Sequence, residues 1–154
     1  MFNGSVSSAS KSDVARLREI TNDAVTEKVT ATHEEKISIV DAVNRHIDEA
    51  ISLDDAIFLK ATKDNEIAGF IIFKDHQRLS DLFVDPTFHG CGIGRALFDT
   101  ALERLDKHDY LDVYAAIDAV GFYKKLGFSE CLLEPPLPDF MQPMRMVFSA
   151  NDGA

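Results

Sequence analysis

Residues 89–97 read His-Gly-Cys-Gly-Ile-Gly-Arg-Ala-Leu, with glycines at positions 90, 92 and 94. Glycine at this density marks backbone that must approach something closely or adopt angles other residues avoid. The flanking residues define what the loop joins. Arg78-Leu-Ser-Asp-Leu-Phe-Val84 has strand composition, and Pro86 closes it. Beyond the glycines, Leu97, Ala101, Leu102 and Leu105 recur at helical spacing and predict a helix from Ile93 to about Lys107. Tyr110–Ala116 (YLDVYAA) reads as another strand. Strand, loop, helix and strand make a β-α-β unit, so 78–84 and 110–116 should run parallel through a right-handed crossover.

The rest of the chain builds around that unit. Val14, Leu17, Ile20 and Ala24 predict a first helix with Ser12 or Asp13 as its N-cap. Thr32-x-x-Glu35 is a capping-box pattern opening a second helix through Ile37, Val40, Val43, Ile47 and Ile51. AIFLKA (56–61), the turn KDNE and IAGFIIF (67–73) predict a β-hairpin. A KDHQ turn leads to strand 78–84. DAVGFYKKL (118–126) predicts a short helix stopped by Gly127 in a left-handed cap, with Phe128 folding back on it. A strand near Cys131–Glu134, a proline-rich bend at 135–138 and a strand near Met144–Ala150 complete the expectation. The fold class expected is α/β (α+β): a mixed, mostly antiparallel sheet with a central parallel crossover, element order roughly βααβββαβαββ, and helices packed on it. At 154 residues this is one domain, 1–154, with a polar N-terminal segment of about residues 1–11.

Charge and cysteine content narrow the function classes. The formal net charge is -10, and nucleic-acid binding, which needs clustered Lys and Arg, is disfavoured. An acidic surface suits a cationic partner such as an amine. Cys91 and Cys131 stand far apart with no histidine at ligand spacing, so neither a metal site nor a disulfide framework is expected. No apolar run is long enough to span a bilayer, and MFNGSVSSASKS lacks a basic start and an apolar core. A soluble protein, most simply cytoplasmic and without a membrane partner, is the expectation.

Which ligand the loop holds depends on its spacing. A P-loop needs Lys-Ser or Lys-Thr after its last glycine, and Arg95-Ala96 stands there instead. A dinucleotide loop starts at the strand end, but Asp85–His89 intervenes and Arg95 takes the third glycine position. Val84-Asp85-Pro86 followed by His89-Gly90-Cys91-Gly92-Ile93-Gly94 and a helix resembles the acyl-CoA loop of the GNAT superfamily of N-acyltransferases. Downstream, Ala116 to Phe128 aligns without gaps with that family's Asn-x-x-Ala-x-x-(aromatic)-Tyr-x-x-x-Gly-Phe motif, and Gln142–Met146 with its closing Pro-Met strand. The resemblance spans about residues 55 to 148. It implies acetyl-CoA as acyl donor, with Leu82, Phe83, Val84, His89, Gly90, Cys91, Gly92, Ile93, Gly94, Arg95, Ala119 and Phe122 around it, the pyrophosphate lying on the open N–H groups of the helix start.

The reaction implied is direct transfer of an acetyl group to a primary amine of a small molecule or a protein. Tyr123 is the expected general acid for the leaving thiolate, being protonated at neutral pH. Asp81, on the third strand, and Asp112, on its neighbour, are alternative candidates for the base that neutralises the amine. No motif chooses between them. His33, His46, His76 and His108 lie in polar surface patterns and receive no role. His89 replaces the family's Arg or Gln, and Ala116 its Asn. These departures keep open an acyl-CoA-binding sensor of the same fold with impaired catalysis. A second copy of the chain stays open as a partner.

Overall fold

The computed structural model describes residues 2–106, 108–133 and 135–148. Its strands are β1 (Ser5–Ser8), β2 (Ile57–Lys63), β3 (Glu66–Phe73), β4 (Arg78–Leu79), β5 (Asp81–Val84), β6 (Tyr110–Ala116), β7 (Ser129–Glu130) and β8 (Met141–Val147). Its helices are α1 (Val14–Lys28), α2 (His33–Ser52), α3 (Ile93–Arg104) and α4 (Val120–Leu126). The strands form two four-stranded sheets, β1-β2-β3-β5 and β4-β6-β8-β7. Every pairing is antiparallel except β4 with β6.

Local chemistry sets the boundaries. Thr32 and Glu35 close the expected capping box, Glu35 N donating to Thr32 Oγ1 at 3.1 Å and Thr32 N to Glu35 Oε1 at 2.8 Å. Asp13 is the residue before α1, but its carboxylate turns back to Ser10 N at 2.8 Å and to Lys60 Nζ at 2.9 Å. Asp64 and Asn65 both take positive φ (52° and 64°), the two-residue turn that matches strand twist in a hairpin. Gly127 has φ 115°, and Phe128 N donates to Tyr123 O at 3.0 Å, which ends α4 and folds the Phe128 ring onto Tyr123 and Phe98.

The sheets differ in what covers them. The first is sandwiched. On one face Leu17 and Ile20 of α1 and Val43 and Ile47 of α2 bury Phe58, Phe70 and Ile72. On the other, Ile93, Leu97, Phe98 and Ala101 of α3 meet Leu59, Ala61, Ile71 and Phe73. Each such large side chain contributes roughly 1.5–3 kcal/mol by leaving water. The second sheet joins the α3 side only, through Leu111, Val113, Ala115, Met144 and the Tyr123 and Phe128 rings. Its opposite face carries Tyr110, Asp112 and Tyr114, with Arg78 4.7 Å from the Tyr114 ring centroid and Arg145 3.7 Å from that of Tyr110. Among the described residues, no helix is long and apolar enough to cross a membrane.

Three expectations need correction. Strand 78–84 is not continuous: only Arg78 and Leu79 pair with β6, while Asp81–Val84 pair with β3 alone. Ile72 pairs with Asp81 and its carbonyl also accepts from Ser80 N at 2.9 Å, so two residues oppose one, a bulge that turns the strand aside. The strand expected ahead of the two helices is present as β1, inside the polar N-terminal segment, and its pairing with β2 rests on backbone bonds. The strand sought near 131–134 lies at Ser129–Glu130, although Cys131 N still donates to Pro143 O at 3.0 Å; Glu134 is outside the described residues. The last strand starts earlier, at Met141, and α3 stops at Arg104, while positions 107, 149 and 150 fall outside the described residues.

Candidate active site

The bulge opens a gap between the sheets, and strand register shows which backbone groups face it. Asp85 N donates to Ala68 O at 2.8 Å. In an antiparallel ladder, bonded and non-bonded pairs alternate. Asp85, Phe83 and Asp81 therefore turn their N–H and C=O toward β3, and Leu82 and Val84 turn theirs away from it. The same counting on β6, starting from Phe148 N to Asp109 O at 2.9 Å, turns Tyr110, Asp112, Tyr114 and Ala116 away from β8. The Asp112 amide is met by Gln77 O at 2.9 Å. The backbone groups of Leu82 and Val84 on one side and Tyr114 and Ala116 on the other are left without a partner strand, where an extended chain bearing amides could pair. Phe83 does not line this opening with its ring, which packs 5.8 Å from Phe70 beneath α1 and α2.

The glycine loop lies between β5 and α3, and its three glycines serve different ends. Gly90 (φ 82°) has nothing within 4 Å of where a Cβ would stand, so its outer side is open. Gly92 (φ 79°) is the left-handed N-cap of α3. Gly94 makes room for a neighbour instead: a Cβ there would lie 3.0 Å from the Phe122 ring. The first helical bond recorded at this end runs from Ala96 N to Gly92 O (3.1 Å), which leaves the N–H groups of Ile93, Gly94 and Arg95 without helical acceptors. These amides, with the positive end of the helix dipole, fit a pyrophosphate. Ile93 contributes backbone only, since its side chain is in the core. Arg95 is exposed and pairs weakly with Asp99 at 3.4 Å. His89 is exposed, Cys91 is partly buried against the α3 core, and Ala119 caps α4 beside Phe122.

Gly69 was not singled out by sequence and supports this arrangement from below. A Cβ on it would lie 2.8 Å from Phe83 O and 3.2 Å from Ile93 Cγ2, so its absence lets α3 settle close to β3 and β5. A glycine inside an otherwise apolar strand was the available signal.

The titratable candidates separate clearly. Tyr123 is buried in the α3–α4 core, its ring edge-on to Phe122 (5.2 Å) and Phe128 (5.6 Å). Burial, and secondarily the negative charge of Asp81, push its phenol well above the usual tyrosine range. Asp81 begins β5 at the bulge with its side chain 4% exposed, and His46 Nδ1 stands 2.9 Å from its Oδ2. Burial raises its carboxyl above the usual range, against the lowering influence of His46, Lys74 and Arg78. Asp112 is differently placed. Arg145 holds it with two bonds, Nε to Oδ1 at 2.7 Å and a terminal nitrogen to Oδ2 at 3.0 Å. Sequence reasoning passed over His46 because its neighbours on α2 are polar; its position beside buried Val43 and Ile47 was the signal. Thr30, in the α1–α2 connection, was missed too. Its N and Oγ1 donate to Asp118 at 2.7 and 2.8 Å, tying that connection to the start of α4.

Strand amides left without a partner strand, beside a glycine-capped helix start, suit an extended ligand with amides and phosphates, and comparison with known proteins supplies the family. A family profile described as acetyltransferase (GNAT) domain matches residues 18–147. The chain belongs to the GNAT acetyltransferase family. It is similar to the peptidyl-lysine N-acetyltransferase YjaB of Escherichia coli strain K12, 31% identical over 105 residues, which is 65% of this chain and 67% of that one. It is also similar to a [ribosomal protein bS18]-alanine N-acetyltransferase of Haemophilus influenzae, 32% identical over 79 residues, 47% of this chain and 54% of that one. The fold is shared with the PaiA N-acetyltransferase of Thermoplasma acidophilum in complex with coenzyme A, at TM-score 0.76 and 21% identity over 96% of this chain and all (100%) of that one. The apo-form solution structure of E. coli YjaB gives 0.71 and 23% over 96% and 98%. The protein is thus an N-acetyltransferase of the GNAT type that uses acetyl-CoA as cosubstrate.

Proposed function

We propose that this acetyltransferase acts on the primary amine of a protein or a small molecule, a lysine-like cation suiting its charge best. The observation that carries the site assignment is the opening at the Ser80 bulge, with Tyr123 on one face of the sheet and Asp81 on the other. Leu82, Val84, Tyr114 and Ala116 would hold the amide-bearing arm of acetyl-CoA, and the start of α3 its pyrophosphate. A strand N–H at the carbonyl would stabilise the developing oxyanion by roughly 3 kcal/mol. Tyr123 is the group for the departing sulfur. Its raised phenol stays protonated across the working range, and the same low-dielectric surroundings that raise it also raise the proton affinity of a thiolate. Of the two carboxylates, Asp81 with its partner His46 is the one that can serve amine deprotonation, because both oxygens of Asp112 are already engaged by Arg145.

The lysine preference draws support from the net charge of -10 and from the peptidyl-lysine activity named for the E. coli relative. Cytoplasmic residence fits the two cysteines being free thiols. The alternative of a CoA-binding sensor has less in its favour. Ala116 turns its backbone toward the opening whatever side chain it carries, so the lost Asn removes only a side-chain contact. The test is Tyr123→Phe, read by thiol release from acetyl-CoA with lysine peptides. Turnover should fall by about 10²–10⁴ while acetyl-CoA still raises the melting temperature. A wild type inactive on every amine, yet stabilised by acetyl-CoA, would point to the sensor.

A further inference from the structure

We infer that His46 of α2 is the general base of the acetyl transfer, with Asp81 as its positioning residue; this rests on the acetyltransferase reading of the site. The geometry begins with Nδ1. An ionised carboxylate only accepts hydrogen bonds, so at 2.9 Å from Asp81 Oδ2 the Nδ1 atom carries the hydrogen. Nε2 is then the nitrogen able to take a proton. The side chain is 22% exposed whereas that of Asp81 is 4% exposed, so the imidazole and not the carboxylate can meet an incoming amine.

Position in the fold supplies the second observation. Asp81 stands just past the point where the chain leaves β6, at the head of the opening, on the face covered by α1 and α2. Tyr123 belongs to the core on the opposite face, yet the Asp81 charge reaches its phenol. A thioester held in the opening therefore has an acid on one face and an imidazole on the other, so that separate groups can protonate the departing sulfur and deprotonate the amine.

Charges surround the pair. Glu49, one turn on from Arg45, is bonded to Lys74 Nζ at 2.9 Å, and Arg45 is 3.9 Å from it. Lys74 and Arg78 both act on Asp81, and His46 acts on Glu49. Glu49 and Lys74 largely offset each other, leaving Asp81 as the near charge that holds the imidazole.

The protons balance as follows. His46 Nε2 takes one proton from the ammonium, and the neutral amine attacks the thioester carbon. The C–N bond forms and the C–S bond breaks. The sulfur takes the Tyr123 proton, the nitrogen sheds its second proton to restore the phenol, and His46 returns its proton to water. One proton is released per amide and per free CoA thiol.

The test compares wild type with His46→Gln and Asp81→Asn, using acetyl-CoA with a lysine peptide and with hydroxylamine, a weakly basic amine largely neutral at about pH 7. His46→Gln should lower kcat on the peptide at least ~100-fold, leave the KM for acetyl-CoA unchanged and abolish the acid limb of the pH profile. Its rate with hydroxylamine, taken above the uncatalysed rate, should fall far less than its rate with the peptide, because that acceptor arrives already neutral. Asp81→Asn should lower kcat on the peptide by roughly 10²-fold and leave the KM for acetyl-CoA unchanged. Independently, nitrogen NMR of the wild-type imidazole should show hydrogen on Nδ1. Peptide turnover within about threefold of wild type with an intact acid limb, or hydrogen on Nε2, would overturn the inference. A wild type that releases no thiol with either amine would instead sink the acetyl-transfer reading and this inference with it.

Discussion

The two sheets each carry an aspartate beside the opening, and their surroundings set them apart. Asp81 belongs to the sheet buried on both faces, where α2 can lay a histidine on it and little of the carboxylate meets water. Asp112 belongs to the sheet left open on one face, where Arg145 can reach across from β8 and engage both its oxygens. The same residue type on the two sides of the opening thus becomes a perturbed acid in one case and a structural ion-pair partner in the other. Burial, and not strand position, makes the difference.

The largest expected contrast is catalytic. Asp81→Asn should reduce turnover on a lysine acceptor by roughly 10²-fold, and Asp112→Asn by no more than about threefold, both measured as thiol release. Equal losses would break the comparison. Next comes packing. Phe70→Ala, between α1, α2 and the first sheet, should cost about 3–5 kcal/mol in urea unfolding, whereas Tyr110→Ala on the open face should cost under about 1 kcal/mol, the size of an exposed cation–π contact.

A smaller contrast concerns glycines. Gly69→Ala places a Cβ 2.8 Å from the Phe83 backbone oxygen, so it should cost roughly 1–3 kcal/mol and weaken acetyl-CoA binding by shifting β5 or α3. Gly121→Ala meets nothing within 4 Å and should stabilise α4 by up to about 1 kcal/mol. Thermal melts with and without acetyl-CoA check both, and a neutral Gly69→Ala would show that α3 has slack.

The finest test uses pH. The carboxyl of Asp81 is raised in the folded chain, so its favourable contribution is present below the unfolded value near 4 and is lost as pH rises through the higher folded value. Asp81→Asn should therefore melt higher than wild type at neutral pH, with the gain vanishing on acidification below about pH 4. Asp85, lowered against burial by Thr87 and Arg16, has the opposite sign: its contribution is present above the unfolded value and fades as pH falls through the folded one. Asp85→Asn should melt lower than wild type at neutral pH and converge with it in acid. A gain for Asp81→Asn that grew on acidification would contradict the burial argument.

Much of this molecule is readable from local patterns. The capping box at Thr32, the left-handed stop at Gly127, the hairpin around Asp64-Asn65 and the loop before α3 each depend on a few adjacent residues, whose conformational preferences act over one or two turns of chain. The glycine spacing with the Ala119–Phe128 motif also pointed to the GNAT family and to the helix after the loop. Other features have no local signature. The break at Ser80 arises because β4 and β5 pair with different strands, a choice made by sheets that meet only in three dimensions. Register against β3 and β8, not side-chain identity, turns the amides of Leu82, Val84, Tyr114 and Ala116 into the opening. His46 and Asp81 are 35 residues apart in sequence, and Asp112 and Arg145 are 33 apart. The sequence by itself determined the order of most elements, the family resemblance and a glycine-rich turn into α3. Only the tertiary structure decided which aspartate is buried beside a histidine and which is neutralised by an arginine, because desolvation and pairing depend on what packs across the strand.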